Sequence, residues 1–594
     1  ISKMNTPDAY PEIQDVIIIG AGPCGLGVAA RIHEETPSAM FTDEEHQRYH
    51  WIKKHTGKMN LVQAGRSKKK GVRAEKWNRG LKNLSPEKNQ SDAGEKQRRE
   101  SSDSGSSVPS LASSAESVDS SSSSSSPTSI STLVLDGSGE QWLQRWNNAF
   151  RTLEIKQLRS PMFFHVDPGD RDGMLAYTQE MGREVDLWEI SGCVGKETSK
   201  HKKKKRRQGG KSQTIGGVEI DERDRKDYFS PSTGLFNDYC NSIIERYGLD
   251  EPGKILKQEV ADMTYGYLPE RGDVPVSNSK IFALTTASGL KFYARAVVLA
   301  MGAGGAGISK IFPWKPTSKE EGAEACCHSM EIKSFPSPNV RNKIQCRQET
   351  NVVVVGGGLS SAQIVDMAIR KGVTKVWFLM RSGLKIKHFD LSLPWLGKYK
   401  NWEKAAFFSA DTDEERLDMI KAARNGGSIT PRYVKIVKQH AASHRVSIHP
   451  YTMIKSHEYN PEAQTWNLTT DPPIPNLPPI DYIYFATGAR ANVREMSLLK
   501  NMNEQYPVEV IEGLPCLTED LMWREDVPLY MTGRMASLRL GPGAPNLEGA
   551  RTGAERIAWS LEELLEKGRE VGDRCEGFCG LGNRYASLLG DADE

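Results

Sequence analysis

The sequence predicts an α/β protein with two doubly wound domains and two disordered insertions. Three observations carry this. Short β-branched runs alternate with helical stretches, two of those runs open directly into glycine loops, and two long stretches are too polar to bury a core. The expected strands are Val16–Ile19, Ala39–Thr42, Ala296–Leu299, Val352–Val355, Val376–Met380, Tyr482–Phe485 and Leu529–Thr532. Continuous apolar runs of this length, each followed by glycine, charge or a helix, suit a parallel sheet covered on both faces.

The first strand leads into Gly20-Ala21-Gly22-Pro23-Cys24-Gly25 and then a helix of small residues from Leu26. Gly20 makes the tight turn, Gly22 leaves room for a pyrophosphate against the backbone, and Gly25 lets helix pack on strand. Free N–H groups at the helix start hold the phosphates. The strand Ala39–Thr42 ends at Asp43, 23 residues after Gly20, where an acid takes the ribose hydroxyls of an adenosine; Glu44 is the fallback.

A second unit of the same kind runs from Asn351 through Val352–Val355 into Gly356-Gly357-Gly358-Leu359-Ser360-Ser361 and a helix to about Lys371. Ser361 replaces the third glycine and is small enough for close packing. Its second strand ends at Arg381, with Lys385 and Lys387 following, and not at an acid. A guanidinium pairs with a 2′-phosphate, so this unit is expected to take NADPH in preference to NADH.

Residues 101–130 contain 17 serines and cannot bury enough surface to offset their ordering entropy. Ala64–Ser138 and Lys196–Asp224 are therefore expected to be disordered. The second insertion contains six consecutive cations, Lys202–Arg207, readable as a nuclear-localisation signal, a tether for an acidic partner, or a solvated self-repelling loop. The net charge of +3 over 594 residues hides this unevenness: without residues 64–138 and 196–211, 58 basic residues face 66 acidic ones. A mildly acidic body argues against nucleic-acid binding. The nine cysteines form no CxxC pair and no zinc-ligand set, which excludes dithiol redox chemistry and gives no metal site. No window approaches the ~18 apolar residues of a membrane span and no signal peptide opens the chain, so a cytoplasmic or nuclear location is expected. Ile1 stands first with Met4 close behind, which leaves the natural start undetermined.

Two glycine-loop units in one chain, with Ala486-Thr487-Gly488 after the strand Tyr482–Phe485, resemble the single-component flavin-dependent monooxygenases. Within that superfamily the chain is similar to the ornithine and lysine N-hydroxylases and to the oxidative-stress-induced growth inhibitor family. Phe41–Glu45, Trp51, His55 and Met59-Asn60-Leu61 resemble the N-hydroxylase segment along the flavin. Leu158–Met162 with Asp167-Pro168 resembles the segment after it, and Val354–Ala362 the nucleotide loop of the growth-inhibitor relatives. Leu529–Gly533, with Gly541-Pro542-Gly543 and a helix from about Leu547, resembles the strand that returns to the flavin.

The resemblance implies FAD on the N-terminal loop, held by Gly20, Gly22, Pro23, Cys24, Gly25, Asp43, Trp51, Met59 and Gly533. It implies NADPH on the second, held by Gly356, Gly358, Leu359, Ser360, Ser361 and Arg381, with Thr487 and Gly488 beside it. The domains are then FAD-binding at 12–63, 139–195, 225–345 and 486–568, NAD(P)H-binding at 346–485, insertions at 64–138 and 196–224, and a tail at 569–594. The implied reaction transfers one oxygen of dioxygen to an amine nitrogen or a sulfur of a small molecule, with no metal and no catalytic side chain named. The alternative is a flavin-binding regulatory protein with little turnover. Two departures bear on this. Arg534 stands where the family carries an acid. The oxygenating subgroup's FxGxxxH survives only at its histidine, His328, with Gly322 and Glu324 in place of the aromatic and the glycine. His328 is read as a nicotinamide-positioning residue or as a histidine of an interdomain linker. Oligomeric state has no signal in the sequence.

Overall fold

The computed structural model describes residues 12–35, 37, 130–190, 192–193, 228–267, 279–302, 308–396 and 400–567. The strands that matter for function build one sheet of eight and one of five. In chain order they are β1 (Ile13–Ile19), β2 (Thr132–Leu135), β3 (Ile255–Leu256), β4 (Val260–Gly266), β5 (Ile281–Thr286), β6 (Lys291–Leu299), β7 (Cys326–His328), β8 (Asn351–Val355), β9 (Lys375–Met380), β10 (Val446–Pro450), β11 (Tyr482–Phe485), β12 (Met522–Arg524) and β13 (Val527–Met531). The helices used below are α1 (Pro23–Ile32), α2 (Leu359–Arg370), α3 (Asp413–Arg424), α4 (Pro431–Ala442) and α5 (Leu547–Lys567).

The first sheet runs β12-β13-β6-β1-β2-β3, parallel from β13 to β3, with the antiparallel strands β5 and β4 continuing from β6. The second runs β7-β11-β8-β9-β10 and is parallel throughout. In each sheet the strand before the glycine loop, β1 or β8, has its successor on one side and a much later strand on the other. Both loops therefore open at a topological switch point beyond the carboxyl ends of the strands, where doubly wound sheets bind ligands.

The second sheet is buried on both faces. Val352 and Val354 pack with Ile364, Val365 and Val434 of α2 and α4, whereas Val353 packs with Trp377, Trp466 and Phe485 on the other side. The two-residue period of a strand divides one valine run between two cores.

The strand that pairs with β1 is β2, and the expected Ala39–Thr42 lies outside the described residues. Val16–Ile19 pair in parallel with Thr132–Leu135, and Val134 and Leu135 are buried. Residues 130–138, expected as the end of the first insertion, are thus ordered, because their apolar run covers the flank of β1. Ala39–Thr42, Asp43, Glu44, Trp51, His55 and Met59–Leu61 lie outside the described residues, as do the rest of the first insertion, Lys196–Asp224 and the tail. Among the described residues no helix is long and apolar enough to cross a membrane, and no group of side chains could hold a metal ion.

Helix α1 packs on α5, with Gly27 facing Ala550 and Ala554 at 3.5–3.7 Å from where its Cβ would stand. Beside this contact Arg31 donates to Glu555 at 2.8 Å, with both side chains at most 6% exposed. Removing Glu555 leaves the buried guanidinium only the half-exposed Glu562, at 3.4 Å, as an ion-pair partner. Glu555→Ala is expected to cost about 3–5 kcal/mol, read as a lower urea midpoint at unchanged slope. A loss below about 1 kcal/mol would class the pair with solvent-screened surface bridges.

Candidate dinucleotide sites

The loop after β1 has the geometry its glycines predict. Gly20 has φ +112°, and a Cβ there would stand 2.8 Å from the Ala300 carbonyl oxygen; a Cβ at Gly25 would stand 2.0 Å from the Gly20 oxygen. Gly22 differs: it caps α1, and a Cβ on it would meet nothing within 4 Å. Pro23 fills the first helical position, where no N–H is needed. Cys24 lies under Gly533 of the returning strand, its sulfur 3.5 Å from the place of a Gly533 Cβ. Burial pushes its thiol up to about 11, so it is a neutral packing group and not a nucleophile.

The acid at the end of the second strand is Asp136. One carboxylate oxygen accepts the Ala21 N–H at 2.7 Å, and the other accepts the N–H of Ser138 at 2.6 Å and its hydroxyl. A carboxylate offers about four acceptor positions. Three are filled, which fixes its orientation beside the glycine loop and leaves one open. Asp43, expected in this role, lies outside the described residues; Asp136 follows the serine-rich tract.

The second loop repeats the first. Gly356 has φ +144° and would place a Cβ 2.2 Å from the Ala486 carbonyl oxygen, as Gly20 does against Ala300. Gly20 and Gly356 donate to the equivalent carbonyls, Leu135 and Leu379, each at 2.9 Å. Ala300-Met301-Gly302 is thus the counterpart of Ala486-Thr487-Gly488, an internal echo also present in the sequence. Gly358 caps α2, Leu359 and Ser360 open it, and the buried Ser361 donates back to the Gly358 carbonyl at 2.6 Å, packing as the third glycine would.

By register, the position matching Asp136 is Met380, buried and apolar, and Arg381 follows it. Arg381 is exposed and makes no ion pair or hydrogen bond among the described residues. Lys385 and Lys387, expected to add charge beside it, turn instead to the end of α3. Lys385 donates to the Asn425 carbonyl and side chain at 2.8 and 2.9 Å, and Lys387 to Arg424 at 2.9 Å. The negative end of the helix macrodipole draws them there. The turn after α3 then runs against the second loop, where a Cβ on Gly427 would lie 3.1 Å from Gly358.

Arg159, in the segment expected beside the flavin, binds the second unit. Its guanidinium donates to the carbonyls of Lys387, His388 and Phe389 at 2.7–3.1 Å and to the Ser428 hydroxyl at 2.9 Å. Next to this clamp a cleft of about 130 Å³ opens between the units, lined by Leu158, Trp188, Leu359, Gln363, His388 and Arg432. The Arg432 guanidinium lies 4.1 Å over the Trp188 ring.

His328 does not sit in a linker. It ends β7, the edge strand beside β11, and is fully buried. Its Nδ1 accepts the Met330 N–H at 3.3 Å, so Nε2 carries the proton and donates to Gly488 O at 3.0 Å. Burial lowers its pKa and keeps it neutral. With Thr487 donating to Ile311 O and Ile311 N–H to Gly488 O, the Thr487-Gly488 turn is held by backbone on this side. Arg534 is exposed and donates to Ala489 O at 2.7 Å.

No protein-family model matches this sequence, and no curated protein is similar to it in sequence. Solved structures are similar to it in fold. An ornithine N-hydroxylase of Kutzneria sp. 744, solved with reduced FAD, NADP+ and L-ornithine, gives a TM-score of 0.54 at 14% identity over 93% of this chain and 100% of that one. An ornithine hydroxylase of Pseudomonas aeruginosa gives 0.52 at 14% identity, with the same coverage. A cadaverine monooxygenase of Erwinia amylovora, solved with FAD, gives 0.51 at 13% identity over 96% and 98%. The chain has their fold.

Proposed function

We propose that the chain is an FAD- and NADPH-dependent monooxygenase acting on a nucleophilic nitrogen, of the ornithine or diamine kind, or on a sulfur. The observation that carries this reading is the pair of glycine loops with opposite chemistry at the same place: a carboxylate, Asp136, beside the first and an exposed guanidinium, Arg381, without a partner among the described residues, beside the second. One suits the hydroxyls of an unphosphorylated ribose and the other a 2′-phosphate.

The empty space in front of Gly22, the first-turn amides of α1 and the one free acceptor of Asp136 fit the adenosine diphosphate half of FAD. FAD and NADPH, when bound, supply the hydride transfer and the activation of dioxygen. The chain's part is placement. Asp136, fixed by Ala21 and Ser138, orients the ribose. Ser361 keeps α2 close enough for its first-turn amides to face a pyrophosphate. Arg159 holds the two units in one register across the cleft at Leu359 and Gln363.

Purified protein is expected to show flavin absorption that bleaches under anaerobic NADPH, and to consume NADPH and oxygen faster when ornithine, lysine or cadaverine is added. Absence of flavin overturns the whole reading, and flavin without bleaching overturns the NADPH half. Asp136→Ala is expected to weaken FAD by roughly tenfold or more, the scale of a lost charge-assisted hydrogen bond. Unchanged flavin content in that variant would return the acidic role to another residue.

A second reading, a flavin-binding protein with little turnover, is favoured by one observation: Gly427 seated against Gly358 narrows the approach to the second loop. Bound FAD with only basal NADPH oxidation, unresponsive to amines and thiols, would select it.

A further inference from the structure

We propose that Tyr451 is the platform on which the adenine ring of the nicotinamide nucleotide stacks, beside Arg381; this rests on the NADPH reading of the second unit. The strands β9 and β10 are parallel, with Leu379 opposite His449 and Met380 opposite Pro450. One residue further on, past the last pair, stand Arg381 and Tyr451, and the Thr452 N–H closes the register on the Met380 carbonyl at 2.8 Å. The two positions thus stand side by side at the carboxyl end of the sheet, the end that also carries Gly356.

Tyr451 is unusual in three ways. It is 70% exposed, although every residue of β9 after Lys375 is buried. Its backbone is left-handed, with φ 54°, a region that aromatic residues seldom adopt and that the fold must hold in place. Its phenol lies across Gly383, where a Cβ would come within 2.4 Å of the hydroxyl oxygen and 3.0 Å of Cζ, so the absence of a side chain at 383 is what lets the ring lie there. The neighbouring aromatic on β10 is already used, since His449 stacks on Trp377 and shares a hydrogen bond with Ser447.

An exposed ring next to a cation without a partner among the described residues matches the two ends of a 2′-phosphoadenosine. The base offers a π face and the ribose a phosphate, and base–aromatic stacking is indifferent to the phosphate. The two residues should therefore divide the work. Tyr451 binds any adenine nucleotide, and Arg381 selects the phosphorylated one.

The test titrates NADP+, NAD+ and nicotinamide mononucleotide, which lacks adenine, onto the flavin-loaded full chain carrying Tyr451→Ala, Tyr451→Phe or Arg381→Ala. Tyr451→Ala is expected to weaken NADP+ and NAD+ by about the same factor, on the order of tenfold, and to leave the mononucleotide unchanged. Tyr451→Phe should bind both dinucleotides as the parent does, because the ring face is retained. Equal binding by Tyr451→Ala and parent overturns the platform while leaving NADPH use intact. A loss confined to NADP+ would mean that Tyr451 acts through Arg381 or the phosphate and overturns it too. A parent chain that binds neither dinucleotide overturns the NADPH reading itself.

Discussion

Gly22→Val is expected to give a folded chain that has lost FAD, whereas Gly25→Val is expected not to fold at all. The two glycines belong to one motif, and their surroundings separate them. A Cβ at Gly25 would stand 2.0 Å from the Gly20 carbonyl oxygen, a backbone atom inside the turn that joins β1 to α1. Relieving that overlap means moving α1 off the strand and off α5, and with it the buried Arg31–Glu555 pair. A Cβ at Gly22 meets nothing, so valine costs the empty protein little beyond a cap position that any extended residue can occupy. The same side chain stands where the pyrophosphate has to approach the backbone, and a branched group there excludes it. Circular dichroism and thermal melting report the fold, and absorbance near the flavin band reports the ligand. A folded Gly22→Val variant with its full flavin spectrum would remove the N-terminal loop from the site. A folded Gly25→Val variant would show that the helix can yield where the structure says it cannot.

The sheets and both loops were legible because continuous apolar runs ending in glycine have few other uses in a chain this long. Val352–Val355 could be read as a strand buried on both faces, and the structure divides it between two cores. The second strand of the first unit was not legible. Leu133-Val134-Leu135-Asp136 has the right pattern, an apolar run closing on an acid, but it abuts a serine-rich tract and lies more than a hundred residues from Gly20, far outside the usual spacing of the motif. Pairing across such a distance is decided by what covers the flank of β1, which no local window contains.

Arg159 and His328 were hidden for a different reason. Their partners are main-chain carbonyls in other parts of the chain, Phe389 and Gly488, and a carbonyl has no letter in the sequence. Lys385 and Lys387 follow the same rule: as letters they are cations near Arg381, and in space the carbonyls at the end of α3 claim them. What a sequence shows least well is which charges remain free after the backbone has taken its share.

Arg381 has no partner among the described residues, and Arg381→Ala is expected to weaken NADPH by about ten- to a hundredfold while leaving NADH nearly untouched. A charge-assisted pair between guanidinium and phosphate contributes roughly 1.5–3 kcal/mol, which sets that range. The side chain is exposed and without a partner among the described residues, so removing it leaves no buried group unsatisfied and the fold should not change. Met380 before it is apolar, so the position that Asp136 holds in the first unit offers no carboxylate to the hydroxyls of NADH. The variant should therefore lose preference without gaining NADH. Stopped-flow flavin reduction with each nucleotide, in parent and variant, measures both arms. Selectivity is the informative quantity, since a packing defect at the end of β9 would harm both nucleotides, and loss of a phosphate partner harms only the one that carries the phosphate. Equal losses for the two, or no loss, would take the 2′-phosphate away from Arg381 and leave the charge contrast with Asp136 without a function.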